Sequence, residues 1–199
     1  VDPFKKPLEQ HIYKCLLTHV NKYNLIHLNQ FRFRANHSCH TALLKLIDRW
    51  LANMNKNEFT GVLFVDFAKA FEVIDNKILL RNLSLYKLSS CALQLIASFL
   101  SNRQQKVILN NCFSNCLPNE FGVPQGSVLG PLLFLLCIND LPLYIKCLCE
   151  CFADDTSIHS SHSNLNQLSV NLQENINQLI NWVELNHMSL NEKKTKYMV

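Results

Sequence analysis

The residues with the clearest chemical potential in this chain are acids at two sites 88 residues apart. Asp66 ends the apolar run Val62-Leu63-Phe64-Val65, and Asp154-Asp155 follow Phe152-Ala153. One acid closing a strand and two adjacent acids at another strand end can hold a pair of divalent metals. Such pairs, about 4 Å apart, clamp the attacking and leaving oxygens of a phosphoryl transfer. The dipeptide alone reads more readily as a polar hairpin turn, because Asp favours turns. The residues between the two sites decide the matter.

The chain has four glycines, and Gly122, Gly126 and Gly130 all fall in Gly122-Val123-Pro124-Gln125-Gly126-Ser127-Val128-Leu129-Gly130-Pro131. Glycine concentrated there marks left-handed backbone or close approach of a ligand. Pro124 and Pro131 stiffen the same segment. The apolar run Leu132 to Ile138 follows and ends at Asn139-Asp140-Leu141-Pro142. This pattern predicts a shaped loop feeding a buried helix.

In this order, Val65-Asp66-Phe67-Ala68-Lys69-Ala70-Phe71, the glycine segment and Phe152-Ala153-Asp154-Asp155 resemble the motifs of reverse transcriptases, nearest to non-long-terminal-repeat retrotransposons of the jockey and LINE type. Gln30 to Arg34, with His37-Ser38 and Thr41-Ala42-Leu43, is similar to that family's finger-to-palm segment. Leu190-Asn191 and Lys194-Thr195-Lys196 are similar to its strand after the catalytic hairpin. The likeness runs from about Lys6 to Val199.

The resemblance implies an RNA-directed DNA polymerase domain that extends a DNA primer on an RNA template with deoxynucleoside triphosphates. The implied catalytic residues are Asp66, Asp154 and Asp155. Two Mg2+ ions, with Mn2+ as the alternative, would sit on these acids and the Phe67 carbonyl, Asp66 and Asp154 bridging. Magnesium suits such a set, being a hard ion that takes carboxylates and phosphate oxygens. Phe71 would pack under the sugar and exclude a 2′-hydroxyl, although a plain core role competes. Gln125 and Gly126 would touch the incoming nucleotide and template. Lys194 would protonate the departing pyrophosphate, against the reading of a solvated lysine in Lys193-Lys194-Thr195-Lys196. Arg34 would contact template phosphate or sugar, or else pair with an acid.

Three residues depart from the family pattern. Arg32 stands where glycine is usual, and a positive φ there would cost about 1 kcal/mol or more. Glu72 replaces the usual Asp, and Asn76 the usual His. The alternative function is therefore a degenerate, non-catalytic palm that binds RNA. A nucleotidyl cyclase-like palm is a third class, disfavoured by Pro124-Gln125-Gly126 and the Phe152-Ala153-Asp154-Asp155 hairpin.

Bulk properties suit one folded domain. The 199 residues are 48% apolar and 17% charged, which suits one packed domain and argues against disorder. Net charge is +4, but residues 107–192 hold one base, Lys146, against eight acids. The remainder holds 18 bases against seven acids, a surface suited to a phosphate backbone or, equally on charge alone, a solvated surface with no partner. The start Val1-Asp2-Pro3-Phe4-Lys5-Lys6 lacks an apolar signal region. The longest apolar run is far short of the ~20 residues of a membrane span. Nine cysteines without a signal favour a reducing compartment, so the expected location is intracellular, nucleus or cytoplasm. Cys147, Cys149 and Cys151 alternate and should share one face of a strand as buried thiols.

Periodicity predicts helices over Leu8–Lys22, Thr41–Asn53, Ile74–Lys87, Cys91–Asn102, Ser127–Ile138 and Leu165–Leu185. Strands are predicted over Thr60–Asp66, Gln105–Leu109 paired near Leu117, a hairpin of Lys146–Ala153 and Thr156–His159, and Lys196–Val199. Strands and helices mix without strict alternation, which predicts α+β with an antiparallel sheet. The resemblance refines this to a polymerase palm, a split βαβ sheet backed by helices, over residues 59–199. Residues 1–58 would be partial fingers, with no thumb, and weak or no polymerase activity is expected of the isolated chain.

Overall fold

The computed structural model describes residues 5–32, 34 and 37–199. Phe33 and residues 35–36 of the finger-to-palm segment lie outside the described residues, as do residues 1–4. In chain order the elements are α1 (Lys5–Lys22), α2 (Cys39–Asn55), β1 (Phe59–Val65), α3 (Asn76–Leu85), α4 (Ser90–Leu100), β2 (Gln104–Gln105), β3 (Ile108–Leu109), β4 (Cys112–Phe113), β5 (Leu117–Pro118), α5 (Gly130–Cys137), α6 (Leu141–Tyr144), β6 (Leu148–Phe152), β7 (Asp155–His162), α7 (Leu165–Leu185) and β8 (Lys196–Met198). Among the described residues no helix is long and apolar enough to cross a membrane.

Local chemistry sets the helix starts. Ser38 caps α2 by accepting from the Thr41 amide, while Thr41 Oγ1 accepts from the Ser38 amide. Asp75, Ser89 and Asn164 cap α3, α4 and α7 through side-chain oxygens. α5 has no such cap and begins with proline in its first turn, at Gly130 rather than Ser127. The intervening residues form the glycine loop. The segment Gln105–Leu109 is not one strand. Gln104–Gln105 pairs with Leu117–Pro118, and Ile108–Leu109 pairs with Cys112–Phe113, in two separate ribbons. Asn110 and Asn111 turn the outer ribbon with φ of 49° and 62°, the signature of a type I′ hairpin turn.

Strands β6, β7, β1 and β8 form one sheet in that order, with all three pairings antiparallel. β1 and β7 are central, and β6 and β8 are the edges. One face of this sheet carries Leu63, Val65, Ile158, Cys149 and Cys151 into the main core. That core is built on α5, whose residues 132–137 are all buried, with Trp182, Leu179, Leu79 and Leu83 around it. Of the three alternating thiols, Cys149 and Cys151 are buried and Cys147 is partly exposed, and all are free. The opposite face meets α2. There Trp50 Nε1 donates to His159 Nδ1 at 3.3 Å, and Lys45 Nζ lies 3.0 Å from the buried Glu150 carboxylate. Residues 29–31 run parallel to β6 and cover its free edge, with Phe31 N donating to Cys151 O and Cys151 N to Asn29 O.

Candidate active site

Sheet register brings the two acidic sites to one end. Val65 is opposite Thr156 and Phe152 is opposite Asp155, so Asp66 leaves β1 beside the start of β7. Ala153 and Asp154 form the two-residue turn between β6 and β7. Ala153 has φ of 58°, and Asp154 is not among the residues with positive φ. A positive φ at the first turn residue alone is the type II′ pattern that suits strand twist. Alanine there costs about 1 kcal/mol or more, a strain of the kind found at functional sites.

The acids sense one another. Burial raises the pKa of Asp155, and the charges of Asp154 and Asp66 raise it further. Two of the three remain solvent-facing: Asp154 and Asp155 are exposed and Asp66 is half-buried. Among the described residues no three His, Cys, Asp or Glu side chains are drawn together tightly enough to hold a metal ion as they stand. The charges that raise the Asp155 pKa are like charges and repel one another. The donor set is all carboxylate, which fits a hard divalent cation, and a cation would relieve the repulsion.

Asp66 is clasped by the segment leading into β8. Its amide donates to Thr195 Oγ1 at 3.3 Å, and its carbonyl accepts from the Asn191 amide at 2.8 Å. Lys194 Nζ stands 4.0 Å from its carboxylate. Thr195 and Asn191 were not singled out as site residues in the sequence. Their role depends on the β1–β8 pairing, which no local pattern reveals. Phe67 is buried against Trp182, with ring centroids 6.2 Å apart, so its backbone is held firmly beside Asp66.

The glycine loop is bound to the segment after Asp66. Gly122 N donates to Ile74 O at 2.7 Å, and Val123 N donates to Phe71 O at 2.8 Å. A Cβ on Gly122 would lie 2.6 Å from the carbonyl oxygens of Phe71 and Glu72, which explains this glycine twice, since its φ is also +72°. Arg103 Nη2 donates to the Phe121 and Gly122 carbonyls and fixes the loop entrance. Pro124-Gln125-Gly126-Ser127 is a type II turn: Ser127 N donates to Pro124 O and Gly126 has φ of +77°. A Cβ on Gly126 would meet nothing, and Gln125 and Gly126 are exposed on this turn. Phe71 is partly buried, its ring 4.8 Å from that of Phe134.

Two arginines of the finger-to-palm segment lie among the described residues. Arg32 is not among the residues with positive φ, so it carries no left-handed strain. Its guanidinium instead lies 5.5 Å from the centre of the Phe152 ring. Arg34 Nη1 donates to the carbonyls of His27 and Leu28, which ties it to its own loop.

A family profile described as "Reverse transcriptase (RNA-dependent DNA polymerase)" matches residues 4–199. An RNA-directed DNA polymerase from mobile element jockey of Drosophila funebris is 30% identical over 201 residues, covering 95% of this chain and 21% of that protein. A probable RNA-directed DNA polymerase from transposon BS of Drosophila melanogaster is 30% identical over 176 residues, covering 84% and 19%. The chain thus spans about a fifth of the length of the curated relatives it matches. Among solved structures, a telomerase from Candida albicans in complex with the TWJ fragment of telomeric RNA aligns with a TM-score of 0.68 at 15% identity, over 98% of this chain and 35% of that one. An apo telomerase from Candida tropicalis truncated from its C-terminal domain aligns at 0.63 and 14%, over 98% and 40%. These two likenesses establish the fold, an α+β polymerase palm-like architecture.

Proposed function

The chain belongs to the reverse transcriptase (RNA-dependent DNA polymerase) family, and from that premise we propose that it is the polymerase segment of a longer mobile-element enzyme. In this reading it extends a DNA primer on an RNA template from deoxynucleoside triphosphates. The observation that carries it is the junction of Asp66 with the Ala153–Asp154 turn across the two central strands, where Asp155 feels both neighbouring carboxylates. Residues 59–199 are assigned to the palm and residues 1–58 to part of the fingers.

Asp66, Asp154, Asp155 and the Phe67 carbonyl would hold two Mg2+ ions, or Mn2+ in their place. Such ions supply charge stabilisation to the transferring phosphoryl group and acidity to the attacking hydroxyl. The protein's own part is positioning. The Asn191–Thr195 clasp fixes the Asp66 backbone, and Lys194 places a proton donor within 4.0 Å of its carboxylate. Lys194 is assigned to the departing pyrophosphate. Phe71 lies on a segment bonded to the glycine loop, so its ring, Gln125 and Gly126 are assigned to the nucleotide and template. Arg34 is assigned to the template strand through guanidinium nitrogens other than the one engaged with its loop.

The alternative, an RNA-binding palm without catalysis, is favoured by the departures from the family pattern at Glu72 and Asn76. A longer chain containing this segment separates the readings. Given an RNA template, a DNA primer and deoxynucleotides, it should lengthen the primer in a template-directed manner. Template binding with no extension under any divalent ion would support the non-catalytic palm.

A further inference from the structure

We propose that Gln30 is a positioning residue that holds the Ala153–Asp154 turn in its strained conformation, and through it aims Asp154 and Asp155. This rests on the assignment of those acids as metal ligands. Gln30 is 1% exposed, in a segment remote in sequence from the turn. Its side-chain Oε1 accepts from the Ala153 amide at 3.1 Å and from the Arg32 amide at 3.1 Å. Its backbone is bridged to Cys151, two residues before the strained alanine. A buried amide oxygen therefore receives the N–H of the one residue in the acidic hairpin turn that has positive φ.

The logic is energetic. Alanine with φ of 58° favours leaving that conformation. Any such departure would take the Ala153 N–H off the Gln30 oxygen, which keeps only its bond from the Arg32 amide, and the lost hydrogen bond is comparable in size with the strain saved. The turn is thus held from outside, by a residue of the finger-to-palm segment. Two backbone bonds flanking Gln30, Phe31 N to Cys151 O at 2.9 Å and Cys151 N to Asn29 O at 2.8 Å, keep its side chain in register with the turn. Glycine at position 153 would remove the strain, and with it the need for Gln30.

The test is a double-mutant cycle on the 199-residue chain, with Gln30→Met, Ala153→Gly and the pair. Methionine keeps length and bulk but loses the acceptor. Two quantities are read: the thermal midpoint, and the affinity for Mn2+ alone by paramagnetic resonance titration, with Asp154→Asn as the control for site binding. Gln30→Met should lower the midpoint and weaken Mn2+ binding by about 10-fold, as loss of a supporting hydrogen bond does at metal sites. Ala153→Gly in that background should restore both. Equal losses with and without Ala153→Gly would overturn the proposal and make Gln30 an ordinary packing residue, as would no loss at all. If Gln30→Met does not fold, folding of the double variant supports the proposal and failure of both overturns it. If the chain binds no Mn2+ that Asp154→Asn removes, the assignment of the acids fails. The midpoint cycle still decides the coupling of Gln30 to Ala153.

Discussion

Asp155 offers a reading of the acid cluster that needs no substrate. Its pKa is raised by burial and by the charges of Asp154 and Asp66. A carboxyl raised in the folded state gives stability that is full below the ordinary aspartate range, about 3.9, and is lost as pH rises through the raised value. Asp155→Asn should therefore raise the metal-free thermal midpoint at pH 7, with the gain vanishing near pH 3. No gain at neutral pH would mean that the acids do not repel. Phe71 is open to a comparable contest. Its ring is partly buried on Phe134, so Phe71→Val should cost about 1–3 kcal/mol. In a longer active chain it should also raise the ratio of ribonucleotide to deoxyribonucleotide incorporation. An unchanged ratio with the same loss of stability would make Phe71 a core residue only. At this scale the three acids were legible from residue type and from their place at apolar runs. The clasp of Thr195 and Asn191 on Asp66 was not, because it depends on which strand lies beside β1. Arg32 has no positive φ, whereas Ala153 has one, and nothing in the residue type announces it there.

Among the elements, the glycine loop makes a differential prediction. Gly122→Ala puts a Cβ against two carbonyl oxygens at positive φ, and should cost at least about 2 kcal/mol in urea unfolding. Gly126→Ala meets no neighbour and should cost only about 1 kcal/mol. Equal costs would mean that the loop is not pinned to the Phe71–Ile74 segment. The contact of α2 with the sheet makes another. His159 is buried beneath Trp50, and burial together with the Arg49 charge lowers its pKa to about 4. A lowered histidine gives stability that is present above its unfolded value and lost as pH falls toward the folded one. The wild-type midpoint should fall between pH of about 6.5 and about 4, and His159→Gln should fall less over that window. Parallel curves would remove His159 from the acid response. Long helices were readable because α2 and α7 repeat apolar positions at helical spacing. The four-residue α6 was hidden in Asn139-Asp140-Leu141-Pro142, which reads as a helix stop. The ribbons of residues 104–118 broke into pairs because their side chains are exposed, so no core imposes one continuous strand.

Across the whole molecule, the mixing of strands and helices without strict alternation carried the α+β reading, and the ordered motifs, acid, glycine loop and acidic hairpin, fall on the end of β1, the entrance to α5 and the β6–β7 turn. The charge division agrees with it. Apart from Lys146, the bases fall in residues 1–106 and 193–196, while Asp154 and Asp155 lie in the acid-rich stretch between. What pattern alone left open was the closing of the sheet, in which β8 joins β1 and delivers Lys194 to Asp66. The central claim is that Asp66 and the Asp154–Asp155 pair form one phosphoryl-transfer site. It is tested most directly by primer extension on an RNA template, with a longer chain carrying this segment and its Asp66→Asn, Asp154→Asn and Asp155→Asn variants, in Mg2+. Wild type should extend the primer. Asp66→Asn and Asp154→Asn should each lose at least roughly 100-fold in rate while their thermal midpoints hold, because the charge stabilisation lost is worth several kcal/mol. Asp155→Asn should lose less. Near-wild-type extension by Asp66→Asn or Asp154→Asn would contradict the account.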